Sequence, residues 1–292
     1  MQRRCFALPL FFSLTFLAGC DLEEFGSSTR YQADFHESHP FKSGGRLYVE
    51  NLNGSIEISG WDQDTADISG TKYASTEAVL SALKVDVVAS GDSIRIRTVR
   101  PSGHSGNMGA RYVIKVPRGT TLERIESSNG AIRAMEIDAP LRLETSNGAI
   151  EINSVGGPAD LKTSNGGIRA EGVQHGIDAT TSNGSIRVVL GKVEERRPVR
   201  LHSSNGSVDL TVDDLSNSEV DVRTSNATIT ARLPQSISAD LKANTSNGSL
   251  TNEFESGFQG RSGKNYLDGT IGGGGPSLVL TTSNGSIRLL RH

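Results

Sequence analysis

The chain has 292 residues, with 30 Lys and Arg against 33 Asp and Glu for a formal charge of -3, which leaves no basic face and excludes nucleic acid as a partner. Glycine reaches 33 residues while aromatics make up only 5%, a composition of frequent turns and small aliphatic packing rather than a broad aromatic core. This length allows one or two domains, and the composition favours one, since elongated all-β folds run past roughly 200 residues as single units.

The first predicted element is an address. Arg3 and Arg4 precede an apolar run from Phe6 to Leu17, of signal-peptide length and too short to span a bilayer comfortably as a helix. It ends in Leu17-Ala18-Gly19-Cys20. Two small residues suit a peptidase site in any signal peptide, and a cysteine immediately after them resembles the bacterial lipobox. The resemblance implies a lipoprotein signal peptide over 1–19, a diacylglycerol on the Cys20 sulfur and acylation of the new amine. Several acyl chains anchor stably, because each buried methylene contributes ~0.8 kcal/mol. The alternative is an ordinary signal peptide with a coincident cysteine. Cys5 and Cys20 are the two cysteines, so loss of the leader leaves no pair for a structural disulfide. Asp21 resembles the sorting signal that retains enterobacterial-type lipoproteins in the inner membrane. The expected location is therefore the bacterial cell envelope, facing the periplasm from the inner membrane, with the outer membrane as the other option.

Residues 20–43 are polar and lack apolar periodicity, with His36, His39 and Pro40 scattered through them; they read as a lipid-anchored flexible tether. Residues 44–292 then read as one β-solenoid domain, with degenerate coils and a short helix over 44–116 and regular coils over 117–292. Leu47, Val49, Asn53-Gly54-Ser55, Ile56 and Ile58 match one coil, and Gly91-Asp92-Ser93-Ile94 with Ile96 resembles another. Between them Glu77 to Leu83 predicts a short helix capped by Ser75 or Thr76, placed to cover an open end of the stack.

The repeat is plainest from residue 117 onward. Its corners are Asn129-Gly130, Asn147-Gly148, Asn165-Gly166, Asn183-Gly184, Asn205-Gly206, Asn226-Ala227, Asn247-Gly248 and Asn284-Gly285, spaced 18, 18, 18, 22, 21, 21 and 37 residues apart. The last gap equals two coils, or one coil and a loop at Gly272 to Gly275. Alternating apolar residues on both sides, as in Leu141, Leu143, Thr145 and Ile150, Ile152, predict two half-buried strands per repeat. Asn and Gly tolerate positive φ, so they are expected to make a sharp turn there, with Gly148→Val as its test.

Two architectures accommodate that pattern. Asn-Gly closes two-residue antiparallel hairpins, and it also suits the corner of a solenoid whose coils stack in parallel. Stacking at about 4.8 Å would set Arg142 against Asp160, Glu144 against Lys162, and Glu151 between Arg133 and Arg169. Asp178, Arg200 and Asp221 continue the first column, and the neighbours Asp160 and Asp178 break its alternation. A hairpin requires no such complementarity between repeats, so a single-stranded parallel β-helix of about 18–22 residues per coil is the favoured all-β fold. The asparagines would form one ladder, and Thr145, Thr163, Thr181, Ser203, Thr224, Thr245 and Thr282 a second column.

These features together resemble the bacterial putative-adhesin repeat family, a domain of unknown function related to auto-transporter-like adhesin heads. The resemblance rests on Gly44 to Ile56, Gly60-Trp61-Asp62, the helix before Lys84-Val85-Asp86-Val87, the Val116 to Thr120 turn and the Ser-Asn-Gly-x-Ile coils. It implies a β-helical domain on a cell-envelope protein, while the adhesin name is itself a fold-level inference.

Residues of catalytic type are present along the chain without a catalytic pattern. The acids lie mostly in outward columns beside basic residues, and the adjacent pair Asp213-Asp214 reads as a turn. His36, His39, His104, His175, His202 and His292 lack ligand spacing, so no metal is expected, and Gly272 to Gly275 lacks the Lys-Ser/Thr of a phosphate loop. Neither catalytic residues nor a cofactor are expected. Asn-x-Ser/Thr triplets at Asn53, Asn183, Asn205, Asn226, Asn247 and Asn284 are explained by the turn itself. The favoured function is a non-catalytic envelope lipoprotein, joined to the membrane by its lipid, whose scaffold adheres or binds an unknown envelope protein or polysaccharide, including in stress signalling. The alternative is a polysaccharide lyase or hydrolase on the same fold. A third idea, an ice-like threonine template, conflicts with the inward parity of the threonine column.

Overall fold

The computed structural model describes residues 31–104, 106–192, 197–215 and 218–292. The leader 1–19, Cys20 and Asp21 lie outside the described residues. Each regular repeat is one coil with two strands. In one of them Leu141–Thr145 leads into the Ser146-Asn147-Gly148 corner, Ile150–Val155 leaves it, and Gly156 to Pro158 turn the chain into the next coil at Ala159–Thr163. Equivalent strands pair in parallel, with Leu141 opposite Ala159 and Ile150 opposite Ile168. Pairing therefore runs between repeats, as in a β-solenoid. Among the described residues the coils build one sheet of 12 strands and one of 13.

Side-chain parity explains why the two sheets close on each other. Leu141, Leu143 and Thr145 of one strand and Ile150, Ile152 and Val155 of the other are buried, while Arg142 points outward. Each fully buried Leu or Ile contributes ~1.5–3 kcal/mol, and the core is a stack of such residues one coil thick. The second strand carries one extra residue before its last inward side chain. Glu136 (φ 59), Ser154 (φ 55) and Gly172 (φ 66) occupy equivalent places in three coils, and this left-handed step returns Ile137, Val155 and Val173 to the core. The outward charges meet in the expected register: Arg133 Nε lies 2.8 Å from Glu151, Lys162 Nζ 3.5 Å from Glu144, and Arg142 Nε 3.8 Å from Asp160.

At both ends, chain order and stacking order diverge. The coil of Arg46–Asn53 and Ile56–Trp61 is not terminal: Ser93–Val99 and Met108–Pro117 pair on its outer side, and the later coils pair on its inner side. Antiparallel strands finish both sheets there, Lys84–Ser90 on one and Thr65–Ala74 followed by Tyr31–Pro40 on the other. The C-terminal end repeats the device. Ser277–Thr282 and Ile287–Arg291 insert between the coil of Val220–Thr224 and Ile229–Leu233 and the earlier coil of Ala239–Thr245 and Leu250–Asn252.

Several sequence expectations change at these ends. Residues 31–40, assigned to the tether, form a ten-residue edge strand. Its inward residues are few, but Phe35 crosses Gly70, where a Cβ would collide with its ring, and stacks edge-on against Tyr112 at 5.7 Å. Gly91-Asp92 closes an antiparallel hairpin in which Ser90 pairs with Ser93, so it is no coil corner. Asp213 and Asp214 end the strand Val208–Asp214 and do not form a turn. The 37-residue gap holds the hairpin Phe258–Ser262 and Tyr266–Ile271 as well as the Gly272 to Gly275 loop. The helix spans Glu77–Ala82; Thr76 caps it by accepting the Val79 N–H, and it buries Val79 and Leu80 with Ala74, Leu83 and Met108.

Candidate functional site

The corner residues stand in a single column. Asn129 Nδ2 donates to Asn53 Oδ1 at 2.7 Å, and the same bond recurs from Asn147 to Asn129, Asn165 to Asn147, Asn183 to Asn165, Asn205 to Asn183 and Asn226 to Asn205. Chain order then breaks while the ladder continues, since Asn284 donates to Asn226 and Asn247 donates to Asn284, both at 2.8 Å. Beside it, the hydroxyls of Thr145, Thr163, Thr181 and Thr224 donate to the glycine carbonyl of the preceding coil at 2.9–3.0 Å. These threonines are buried, so they bind no surface ligand.

The corner glycines serve a purpose other than the expected one. Gly130, Gly148, Gly166, Gly184, Gly206, Gly248 and Gly285 are absent from the positive-φ residues of the described chain. Instead the coils approach so closely that a Cβ on Gly148 would lie 2.0 Å from the Gly130 oxygen, and one on Gly166 1.8 Å from the Gly148 oxygen. Close backbone contact between coils is what favours glycine there, although Ala227 takes the equivalent place in one coil. The column of corners is thus accounted for by stacking.

A shallow groove of about 440 Å³ crosses the coils near their opposite corner. Its floor is Pro140, Pro158, Gly176 and Pro198, each one residue ahead of a buried Leu141, Ala159, Ile177 or Val199. Gly176 lacks a side chain because a Cβ would meet the Pro198 oxygen at 2.8 Å and Arg197 Cβ at 2.6 Å. One wall is the outward column Arg142, Asp160, Asp178 and Arg200, whose members face one another in register. Asp160 and Asp178 are direct like-charged neighbours, an arrangement that costs stability in a sheet. Arg142 approaches Asp160 only to 3.8 Å, beyond hydrogen-bond distance.

Such a site offers an apolar floor, three carboxylates that accept, Glu123, Asp160 and Asp178, and three guanidiniums that donate, Arg142, Arg197 and Arg200. Among the described residues no cluster of three His, Cys, Asp or Glu side chains could hold a metal. The corner prediction did not find this groove; its signal is the proline recurring one residue before the first strand at 140, 158 and 198. A second groove, of about 360 Å³, lies on the other sheet over Ala149, Gly167, Ser185 and Ser207, walled by Glu151, Arg169, Arg187 and Asp209. There Arg169 Nη2 binds Glu171 at 2.6 Å, and Arg187 lies 3.9 Å from Asp209, a long ion pair like that of Arg142 with Asp160.

Apart from the grooves, the N-terminal end holds a buried polar knot. Tyr112 Oη and Thr98 Oγ1 are 2.5 Å apart, Thr98 donates to Asn51 Oδ1 at 2.9 Å, and Asn51 Nδ2 donates to the Gly54 and Ala110 oxygens. Burial pushes the Tyr112 phenol up to about 12. On the surface, Arg118 is raised by its bonds to Glu136 and Asp62, and Arg133 by its bond to Glu151.

The family described as Toastrack DUF4097 matches residues 40–228. No curated protein matches the sequence. Among solved structures, a putative cell adhesion protein from Clostridium sporogenes is 16% identical and covers 89% of this chain and 100% of its own, with a TM-score of 0.27. A putative adhesin from Bacteroides fragilis is 10% identical over 88% of this chain and 97% of its own, with a TM-score of 0.33. A putative lipid binding protein from Parabacteroides distasonis is 12% identical over 88% and 96%, with a TM-score of 0.37.

Proposed function

The chain belongs to the Toastrack DUF4097 family, and from that footing we propose that it is a non-catalytic cell-envelope lipoprotein whose solenoid is a rigid scaffold for adhesion or for binding an envelope protein or polymer. The observation that carries this reading is the groove. It crosses five successive coils, from Thr121 to Arg200, a span of about 20 Å at ~4.8 Å per coil, which suits an extended partner better than a small molecule. The envelope location rests on the lipobox at Cys20 and the sorting residue Asp21. The first strand starts at Tyr31, 11 residues after Cys20, on the outermost strand of the N-terminal end. A lipid on Cys20 would stand the stack on that end and hold the groove coils away from the bilayer.

Palmitate labelling of the wild type and Cys20→Ala, followed by membrane fractionation, tests the anchor. Label on the wild type alone, with the protein in the inner-membrane fraction, is the expected result; an unlabelled, soluble wild type refutes it. Pull-down of envelope extracts with the wild type tests the scaffold, and failure to retain any envelope protein or glycan refutes it. Release of reducing ends from a glycan panel would instead favour an enzyme.

A further inference from the structure

We propose that the groove over Pro140, Pro158 and Pro198 is a glycan subsite that holds an extended, uncharged polysaccharide along the stack axis. The inference rests on the binding-scaffold reading and names its ligand class. Three observations carry it: the composition of the floor, the like-charged pair in the wall and the repeat of the coils.

The floor is an apolar strip in an otherwise polar sheet. Three pyrrolidine rings stand at equivalent positions of their coils, and at Gly176, between Pro158 and Pro198, the absent side chain lets Arg197 and Pro198 pack close. The C–H faces of sugar rings are the apolar part of a glycan, and covering proline carbons with them removes both from water.

The wall holds the polar half of the argument. Asp160 and Asp178 face each other in register, and both line the groove. Two carboxylates at coil spacing repel, and folding gains nothing from their being neighbours. Hydroxyl donors placed between them would satisfy both, through charge-assisted hydrogen bonds. Arg142 and Arg200 flank the pair and donate to hydroxyl or ring oxygens. A polyanion would meet Glu123, Asp160 and Asp178, and a polycation would meet Arg142, Arg197 and Arg200. The mixed-charge wall therefore selects a neutral ligand rich in both donors and acceptors.

The geometry selects an extended one. Coils repeat at about 4.8 Å, close to the length of one pyranose in a straight β-linked chain, so that successive sugars meet successive coils. A helically curved glycan loses that register after one or two coils.

Calorimetric titration of the detergent-solubilised full chain tests the proposal. The probes are hexasaccharides of β-1,4-linked glucose, β-1,4-linked N-acetylglucosamine and α-1,4-linked glucose, with dextran sulfate as the polyanion. At least one β-linked hexasaccharide is expected to bind, at least tenfold more tightly than the α-linked one, and dextran sulfate is expected not to bind. Asp160→Asn with Asp178→Asn is expected to weaken that binding at least tenfold while leaving the melting temperature little changed, because removing the repulsion offsets the loss of the long Arg142–Asp160 ion pair. A general loss of fold would lower both and is separated by that second readout. The proposal is overturned if no β-linked hexasaccharide binds, if the double variant binds as the wild type does, or if dextran sulfate alone binds. If the glycans fail while the wild type still retains an envelope protein, the subsite falls and the scaffold stands.

Discussion

The coils between Thr121 and Leu233 and the two ends of the stack solve the same problem in different ways. In the middle, each coil lies on the one before it, and backbone contact, the asparagine ladder and the threonine column repeat with the chain. At the ends, a coil that belongs to one chain terminus is pushed one place inward; antiparallel strands finish three of the four sheet edges, and the fourth is the three-residue strand Leu250–Asn252. The repeat builds a coil but does not finish a stack. Finishing requires protected edges, and both ends reach that by breaking the repeat. The proposed glycan groove lies in the middle, where repetition supplies equivalent positions at a constant spacing.

The largest predicted effect breaks the middle. Gly148→Val places a branched side chain where a Cβ already comes within 2.0 Å of the Gly130 oxygen, so urea unfolding should show a loss of about 3 kcal/mol or more. Ala227 holds the equivalent place in one coil, which indicates that a single methyl is accommodated and makes Gly148→Ala the milder control. At the N-terminal end, Gly91 has φ 58 and open space around it; Gly91→Ala there should cost only about 1 kcal/mol. Equal losses at the two sites would show that coil approach is not what distinguishes them.

Tyr112 marks the N-terminal end by pH. Below pH 10 its phenol is neutral in both folded and unfolded chains. Between pH 10 and about 12 the unfolded chain gives up the proton first, so stability falls as pH rises, by about 1.4 kcal/mol per unit at most. Denaturant titrations at pH 9 and 11 should show that fall, and Tyr112→Phe should reduce it; an unchanged slope in the variant would assign the alkaline loss to another group.

Asn165→Ala removes two ladder bonds, one on each side, and should cost about 1–2 kcal/mol, against about half as much for Asn247→Ala, which makes one ladder bond. Identical costs would mean that the ladder is not energetically continuous. The smallest effect has the opposite sign. Ser154 holds φ 55, so Ser154→Gly should raise stability by about 0.5–1 kcal/mol, measured as a higher melting temperature.

Much of this was legible in the sequence because a coil is written in local chemistry. Leu141, Leu143, Ile150 and Ile152 alternate, Asn147 sits at the corner, and Arg142 finds Asp160 one repeat later. Stacking order is not written there. Ser283-Asn284-Gly285 offers any coil the same surface that Ser246-Asn247-Gly248 does, and only the length and path of residues 253–276 place the later coil inside the earlier one. The strand Tyr31–Pro40 escaped detection because an edge strand buries only one face, and this one relies on Phe35 filling the space left by Gly70. Asn-Gly misled about φ because glycine is selected equally by a left-handed turn and by a backbone that passes too close for a Cβ. The groove prolines were visible as residues but silent as a set, since the series is interrupted by Gly176.

Disulfide cross-linking tests the divergence of chain order and stacking order most directly. With Cys5 and Cys20 changed to Ser, one protein carries Ser225→Cys and Ser283→Cys, and another carries Ser225→Cys and Ser246→Cys. Ser283 donates its backbone N–H to the Ser225 oxygen at 3.3 Å, so the first pair lies on adjacent coils and should oxidise readily. The second pair is separated by the inserted coil, about 9.6 Å at two coil spacings and beyond the reach of a disulfide, and should remain reduced. Oxidation of the second pair and not the first would contradict the account.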